Sequence, residues 1–157
     1  MNRNRTVLSH TMHAAGTPEA VFPLLCPVRE YEWIEGWDCD LVFSSSGKAE
    51  LDCVFRTAFP QDGPEDTWIV SLYEPPRAIE FVRVNPLRAI HYTIHLAGSE
   101  DGRSAWIWSQ TLTGLTDKGN ALVTAADAAA FAAKIVTLEH KLNHFLATGT
   151  MLRSELR

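Results

Sequence analysis

No apolar run in this chain approaches the roughly 20 residues that cross a bilayer, so a membrane span is not expected. Lysine-rich or arginine-rich patches of the kind that neutralise phosphates are also missing. With a formal net charge of -5 over 157 residues, that argues against nucleic acid as a partner. Met1-Asn2-Arg3-Asn4-Arg5 is basic, yet no apolar stretch follows it of the kind a signal peptide needs. The three cysteines, Cys26, Cys39 and Cys53, are odd in number and have no Cys-x-x-Cys spacing. They fit reduced thiols in a cytoplasmic protein better than a disulfide frame or a zinc site. A Gly-rich phosphate loop, Gly-x-Ser-x-Gly and His-Glu-x-x-His are all absent. The expectation is therefore no metal and no cofactor.

What remains is an ordinary globular composition, 46% hydrophobic and 21% charged, in one domain covering residues 1–157. The most unusual stretch is 26–40. It holds two of the five tryptophans, two of the three cysteines and a cluster of acids. So many aromatic groups are costly to leave in water, which makes this stretch a lid or wall over something apolar. Residues 6–14 read as a first strand. Thr17-Pro18-Glu19 opens a short helix: Thr17 caps, Pro18 loses no needed N–H, and Glu19 suits the positive end of the dipole. Pro23 keeps that helix brief or bent, and residues 28–33 suggest a second one ended by Gly36. Strands are expected at 40–44, 51–59, 67–73, 78–84, 88–97 and 103–113, with turns at 45–48, 60–66 and 98–102. Residues 120–147 contain no proline or glycine and read as one long helix with Gly149 at its exit. Its apolar stripe is Phe131, Ile135, Leu138, Leu142 and Phe145. Residues 151–157 are expected to fray.

Helices segregated from an antiparallel meander make an α+β fold. Thr17-Pro18-Glu19-Ala20-Val21-Phe22, then Tyr73-Glu74-Pro75-Pro76-Arg77-Ala78-Ile79-Glu80-Phe81 between two strands, then the carboxy-terminal helix, resemble the SRPBCC superfamily. This group includes START lipid-transfer domains, birch-pollen-allergen relatives and polyketide cyclases. Stretch 26–40 resembles one of its bacterial branches. The resemblance implies a helix-grip fold: a curved antiparallel sheet of about seven strands around a long carboxy-terminal helix, with two short helices after the first strand. It also implies several function classes, from hydrophobic-ligand carriers to cyclases, dehydratases and chaperone activators, so function has to come from the site.

A helix gripped by a bent sheet leaves a hollow unless large side chains fill it. Alternation in the last strand puts Trp106, Trp108, Gln110 and Leu112 inward, and the strand before it offers Tyr92, Ile94 and Leu96. Phe81 and Arg83 share a face. An inward Arg83 needs a carboxylate or an anionic ligand; the alternative is an arginine reaching solvent. Trp68 or Tyr73 should reach the hollow, with Phe131 and Ile135 facing it from the helix. Trp33 and Trp37, with Tyr31 beside them, either form the mouth or plug the core, and Glu32 either serves as an acid there or is solvated. Lys134 and Asp127 lie at the edge of the helical stripe. The pairs His140/His144 and His91/His95 read as solvated rather than as metal ligands. The leading reading is binding of a small hydrophobic molecule, aromatic or anionic. The alternative is a polyketide cyclase-like or dehydratase-like enzyme using Arg83, Tyr92 and Glu32. A homodimer stays open.

Overall fold

The computed structural model describes residues 4–154. Residues 1–3 and 155–157, part of the basic start and of the end expected to fray, lie outside the described residues. The chain begins with strand β1 (Arg5–Ala14). Thr17 accepts from the Ala20 N–H at 3.2 Å and caps helix α1 (Pro18–Val21). At Pro23 the helix tightens into a 3-10 turn, Phe22–Leu25. Helix α2 (Pro27–Glu30) follows, shorter than the 28–33 segment expected. Then come β2 (Asp40–Phe43), β3 (Val54–Thr57), a 3-10 turn at Pro60–Asp62, β4 (Asp66–Glu74), β5 (Ala78–Val84), β6 (Arg88–Glu100) and β7 (Arg103–Gly114). The chain finishes with α3 (Asp117–Thr124) and α4 (Ala128–Thr148).

All seven strands form one antiparallel sheet in the order β1-β7-β6-β5-β4-β3-β2. Consecutive strands pair from β2 to β7, and β1 closes against β7 from Arg5↔Thr113 to Ala14↔Ser104. The largest departures from the expected strand limits are at the start of β3 and the end of β6. Leu51 and Asp52 lie in a turn, with Asp52 at φ 67°, so β3 starts only at Val54. β6 runs on to Glu100 through a register shift between Leu96 and Gly98. The reversal is then made by Asp101 (φ 51°) and Gly102 (φ 75°), the double positive φ that a two-residue hairpin turn requires.

The expected single helix over 120–147 is two helices bent by 72°. Neither proline nor glycine makes the break. Asp127 takes an extended conformation, and its Oδ1 accepts from the Ala129 N–H at 3.0 Å, capping α4 afresh. Thr116 caps α3 in the same way through the Gly119 N–H. Gly149 ends α4 in the left-handed region, at φ 71°. Among the described residues no single helix is long and apolar enough to cross a membrane; α3 and α4 reach that test only together, across their bend.

α3 packs closely on the loop before β6. A Cβ on Gly119 would lie 1.7 Å from the Leu87 carbonyl oxygen, which already accepts from the Leu115 N–H at 2.8 Å. Gly119→Ala is therefore expected to cost about 2–3 kcal/mol in urea unfolding through overpacking. A change below about 0.5 kcal/mol, the size of an ordinary surface substitution, would contradict that contact.

The core lies between the concave face of the sheet and α4. Met12, Trp33, Ile79, Trp106, Ile135 and Leu142 are fully buried there. α4 is tied to the end of β1. Glu139 accepts from the His13 N–H at 2.5 Å, and Asn143 bonds Ala15 N–H and His13 C=O at 2.8 and 3.0 Å. The helix thus sits toward the β1 side of the sheet, and the concave face of β3 to β6 is left less covered.

Candidate functional site

That uncovered region is a cavity of about 750 Å³ between the sheet, α4 and the segment after α2. Its floor is a row of aromatic rings, one from each of five strands: Phe55 (β3), Trp68 (β4), Phe81 (β5), Tyr92 (β6) and Trp108 (β7). Phe55 stacks on Trp68 with centroids 5.2 Å apart. Trp68 meets Phe81 edge-on at 5.7 Å, Phe81 meets Tyr92 at 6.3 Å, and Tyr92 meets Trp108 at 6.1 Å. Phe55 is directly opposite Trp68 and Phe81 opposite Tyr92, while Trp68–Phe81 and Tyr92–Trp108 are diagonal cross-strand neighbours on the same face, so the row follows from the register. The Trp108 indole N–H has no hydrogen-bond partner among the described residues.

At one end of the row stands a buried ionic cluster. Arg83 is 5% exposed and Asp66 is 0% exposed. Arg83 donates to Asp66 at 2.6 and 3.2 Å and to Asp62 at 2.8 Å, and Arg88 donates to both oxygens of Asp66 at 2.7 and 3.1 Å. The Arg83 guanidinium also lies over the Trp68 ring, 4.3 Å from its centroid. Burial alone would raise the Asp66 pKa; the hydrogen bonds and charges of Arg88 and Arg83 outweigh it and hold the carboxyl below its usual range. Arg83 therefore faces inward and does not reach solvent, and its partners are carboxylates of the chain itself.

Two further titratable groups border the cavity. Glu30 ends α2 on the face that also carries Pro27, and Ile34 follows at helical spacing; all three line the wall. Burial, opposed by the charge of Lys134, pushes the Glu30 carboxyl up to about 8. Lys134 borders the cavity from α4, on a stripe with Thr137, Leu138 and Lys141. Its side chain is exposed at the rim; desolvation on the cavity side lowers its pKa, Asp62 and Glu30 oppose the shift, and Arg83 and Arg88 reinforce it. Lys134 takes part in none of the ion pairs among the described residues.

Of the residues singled out in the sequence, Trp37, Trp68, Phe81, Arg83, Tyr92 and Trp108 border this cavity, as do Ile94, Leu138 and Lys134. The others lie elsewhere. Trp33 is fully buried as a core plug, its indole N–H donating to Leu24 C=O at 2.7 Å. Trp37, half-buried, donates to Pro27 C=O at 2.9 Å and packs on Phe59. Tyr31 is exposed and ties the segment to Asp38 and Cys39. Glu32 is exposed and paired with Arg29. Tyr73 packs on Phe22, because a register shift between Val70 and Leu72 changes the facing of β4 beyond Val70. Gln110 is buried opposite Tyr92 in the ladder without bordering the cavity. Phe131 and Ile135 fill the core, one face away from the Lys134 stripe. Asp127 caps α4.

Sequence reasoning passed over Glu30 and left Lys134 at the stripe edge. The signal was present: 27, 30 and 34 share one helical face, as do 134, 137, 138 and 141. His91 and His95 flank Glu80 on the outer face at 2.9 and 2.6 Å. Among the described residues no group of three or more His, Cys, Asp or Glu side chains could hold a metal ion. Cys26 is buried, and burial with the nearby Glu30 pushes its thiol up to about 12, which leaves it inert as a nucleophile.

A long terminal helix lying in the hollow of a curved antiparallel sheet is the helix-grip fold, as the resemblance stated from the sequence implied. No family model and no curated protein matches the sequence; solved structures do match the fold. Norcoclaurine synthase from Thalictrum flavum, in complex with dopamine and hydroxybenzaldehyde, superposes with a TM-score of 0.63 at 11% identity, over 96% of this chain and 90% of that one. A Rhodobacter sphaeroides protein gives 0.61 at 23% identity, over 90% of this chain and 92% of that one. DynU16, a protein of the dynemicin biosynthetic locus, gives 0.61 at 17% identity over 96% of this chain, which spans 51% of DynU16.

Proposed function

We propose that the protein binds a small, largely apolar aromatic molecule in the cavity between sheet and α4. The row of five rings carries this reading. An apolar floor bordering about 750 Å³ is within the size range of small-molecule pockets, and its few polar groups suffice to orient a guest. The rings offer edge and face contacts to another ring. Arg83 supports an apolar aromatic guest over a strongly anionic one, because two carboxylates already hold its charge. The structural neighbour that holds dopamine and hydroxybenzaldehyde supports the same size and class of guest.

Glu30 and Lys134 favour a second reading in the same space, an enzyme related to the cyclases and dehydratases. A carboxyl raised to about 8 can give up a proton near neutral pH, and a lysine whose pKa is lowered borders the same cavity.

The test is a titration with 2-naphthol followed by tryptophan fluorescence. Saturable quenching is expected, because Trp68 and Trp108 border the cavity. Thr137→Trp, which places a ring into the cavity from α4, is expected to weaken binding by at least about tenfold, equivalent to 1.4 kcal/mol. No quenching in the parent protein, or equal affinity in the variant, contradicts the reading.

A further inference from the structure

The charges around the cavity divide into those the chain has matched and those it has not. Six acidic or basic side chains border the space: Glu30, Glu35, Asp62, Arg83, Lys134 and Lys141. Asp62 accepts from Arg83 at 2.8 Å, and Asp66 holds Arg83 a second time at 2.6 Å. Glu35 lies near enough to Lys141 for their charges to interact, yet its hydrogen bonds come from the Ser154 N–H and hydroxyl, at 2.8 and 2.6 Å. Glu30 keeps its proton to about pH 8 and so offers no counter-charge at neutral pH. Lys134 and Lys141 are left. Neither takes part in any ion pair among the described residues.

The two lysines share one face of α4. They stand two helical turns apart, about 10 Å along the axis, with Thr137 and Leu138 between them on the same stripe. Lys134 is exposed and Lys141 half-buried, so both belong to the rim of the cavity rather than its depth. Their flexible four-carbon stems let both ammonium groups close on one anion. The chain as a whole is acidic, with a formal net charge of -5. At the mouth of its cavity, however, the unmatched charge is positive.

We infer that the guest carries a single carboxylate on a short tether, with its ring on the aromatic floor and the carboxylate at the rim between Lys134 and Lys141. This deepens the ligand reading and rests on it. The depth of the cavity does not take the anion, because Asp62 and Asp66 already hold Arg83 there. At the rim a carboxylate keeps part of its water, so it gains the attraction of two cations without the full cost of burying a charge. The class of guest is an arylalkanoic acid, apolar over most of its surface and charged at one end.

The experiment compares 4-(2-naphthyl)butanoate with its methyl ester on the full chain, by tryptophan quenching at pH 7 and low salt. The acid is expected to bind at least about fivefold tighter than the ester, equivalent to about 1 kcal/mol, the range of two partly exposed ion pairs. In the double variant Lys134→Gln, Lys141→Gln the ratio of the two affinities should fall to about one, and each single variant should lose part of it. Both affinities are measured on the same protein, so any change in the floor cancels in the ratio. Molar salt should shrink the preference of the parent in the same direction. Equal affinities in the parent, or a preference that survives in the double variant, overturns the carboxylate at the rim; the ligand reading then stands if 2-naphthol still quenches. Failure of 2-naphthol to quench removes both.

Discussion

Replacing Asp66 by alanine is expected to lower stability by about 3–5 kcal/mol at pH 7, the cost of leaving buried cations without their counter-charge. Asp66 is completely buried and holds two guanidiniums through four hydrogen bonds. Asp62 reaches only Arg83, so Arg88 would be left without its carboxylate. Urea unfolding checks the size. The triple replacement Asp66→Leu, Arg83→Met, Arg88→Leu should recover most of the loss, since an apolar substitute for a whole buried ion cluster is often neutral. The pH dependence has a definite sign. The folded-state pKa of Asp66 is depressed. Its contribution is thus fully present above its unfolded value near 3.9 and is lost as pH falls through the folded value. Parent and Asp66→Ala curves should therefore converge in acid, below about pH 4. A loss under about 1 kcal/mol at pH 7, typical of a surface pair, would place the cluster in solvent.

Glu30→Gln is expected to do the reverse and stabilise the protein at pH 8 by about 2–4 kcal/mol. The Glu30 carboxyl moves from an ordinary value of 4.5 to about 8 on folding. Between those values the folded chain holds a proton that the unfolded chain has released. Parent stability then falls as pH rises through that window, and it levels off above about 8. The whole shift corresponds to roughly 5 kcal/mol at about 1.36 kcal/mol per pH unit, reduced here because the side chain is only half-buried. Glutamine keeps the shape and cannot ionise, so the gain should shrink to near zero at pH 4. Parallel stability curves of parent and variant from pH 4 to 8 would show that Glu30 is freely solvated.

The fold was readable where local chemistry and global packing agree. Thr17-Pro18 marks a helix start whatever surrounds it, and the alternation of Trp106, Trp108 and Gln110 fixes the facing of β7. From there register alone carries the ring row across to Phe55. The misses have a common cause, a local feature that shifts phase without a strong sequence breaker. Asp127 divides the terminal helix by capping, with alanines on both sides that favour continuing it. The irregularity between Val70 and Leu72 turns Tyr73 toward Phe22. Trp33 and Trp37 sit four apart on a segment too short for periodicity to tell core from cavity, and only the tertiary fold separates them. Glu30 was hidden by its charge, because an acid beside Arg29 and Glu32 looks like part of a solvated face. Lys134 was visible at the stripe edge, but only the placement of α4 over β1 shows that the edge overlooks a hollow.

The most direct measurement is a crystal structure of the protein grown with 2-naphthol. An aromatic guest lying on Trp68, Phe81 and Trp108, beneath Leu138 and beside Glu30 and Lys134, is the predicted result. A sheet closed against α4, with those rings packed on Leu138 and no space for a guest, would contradict it.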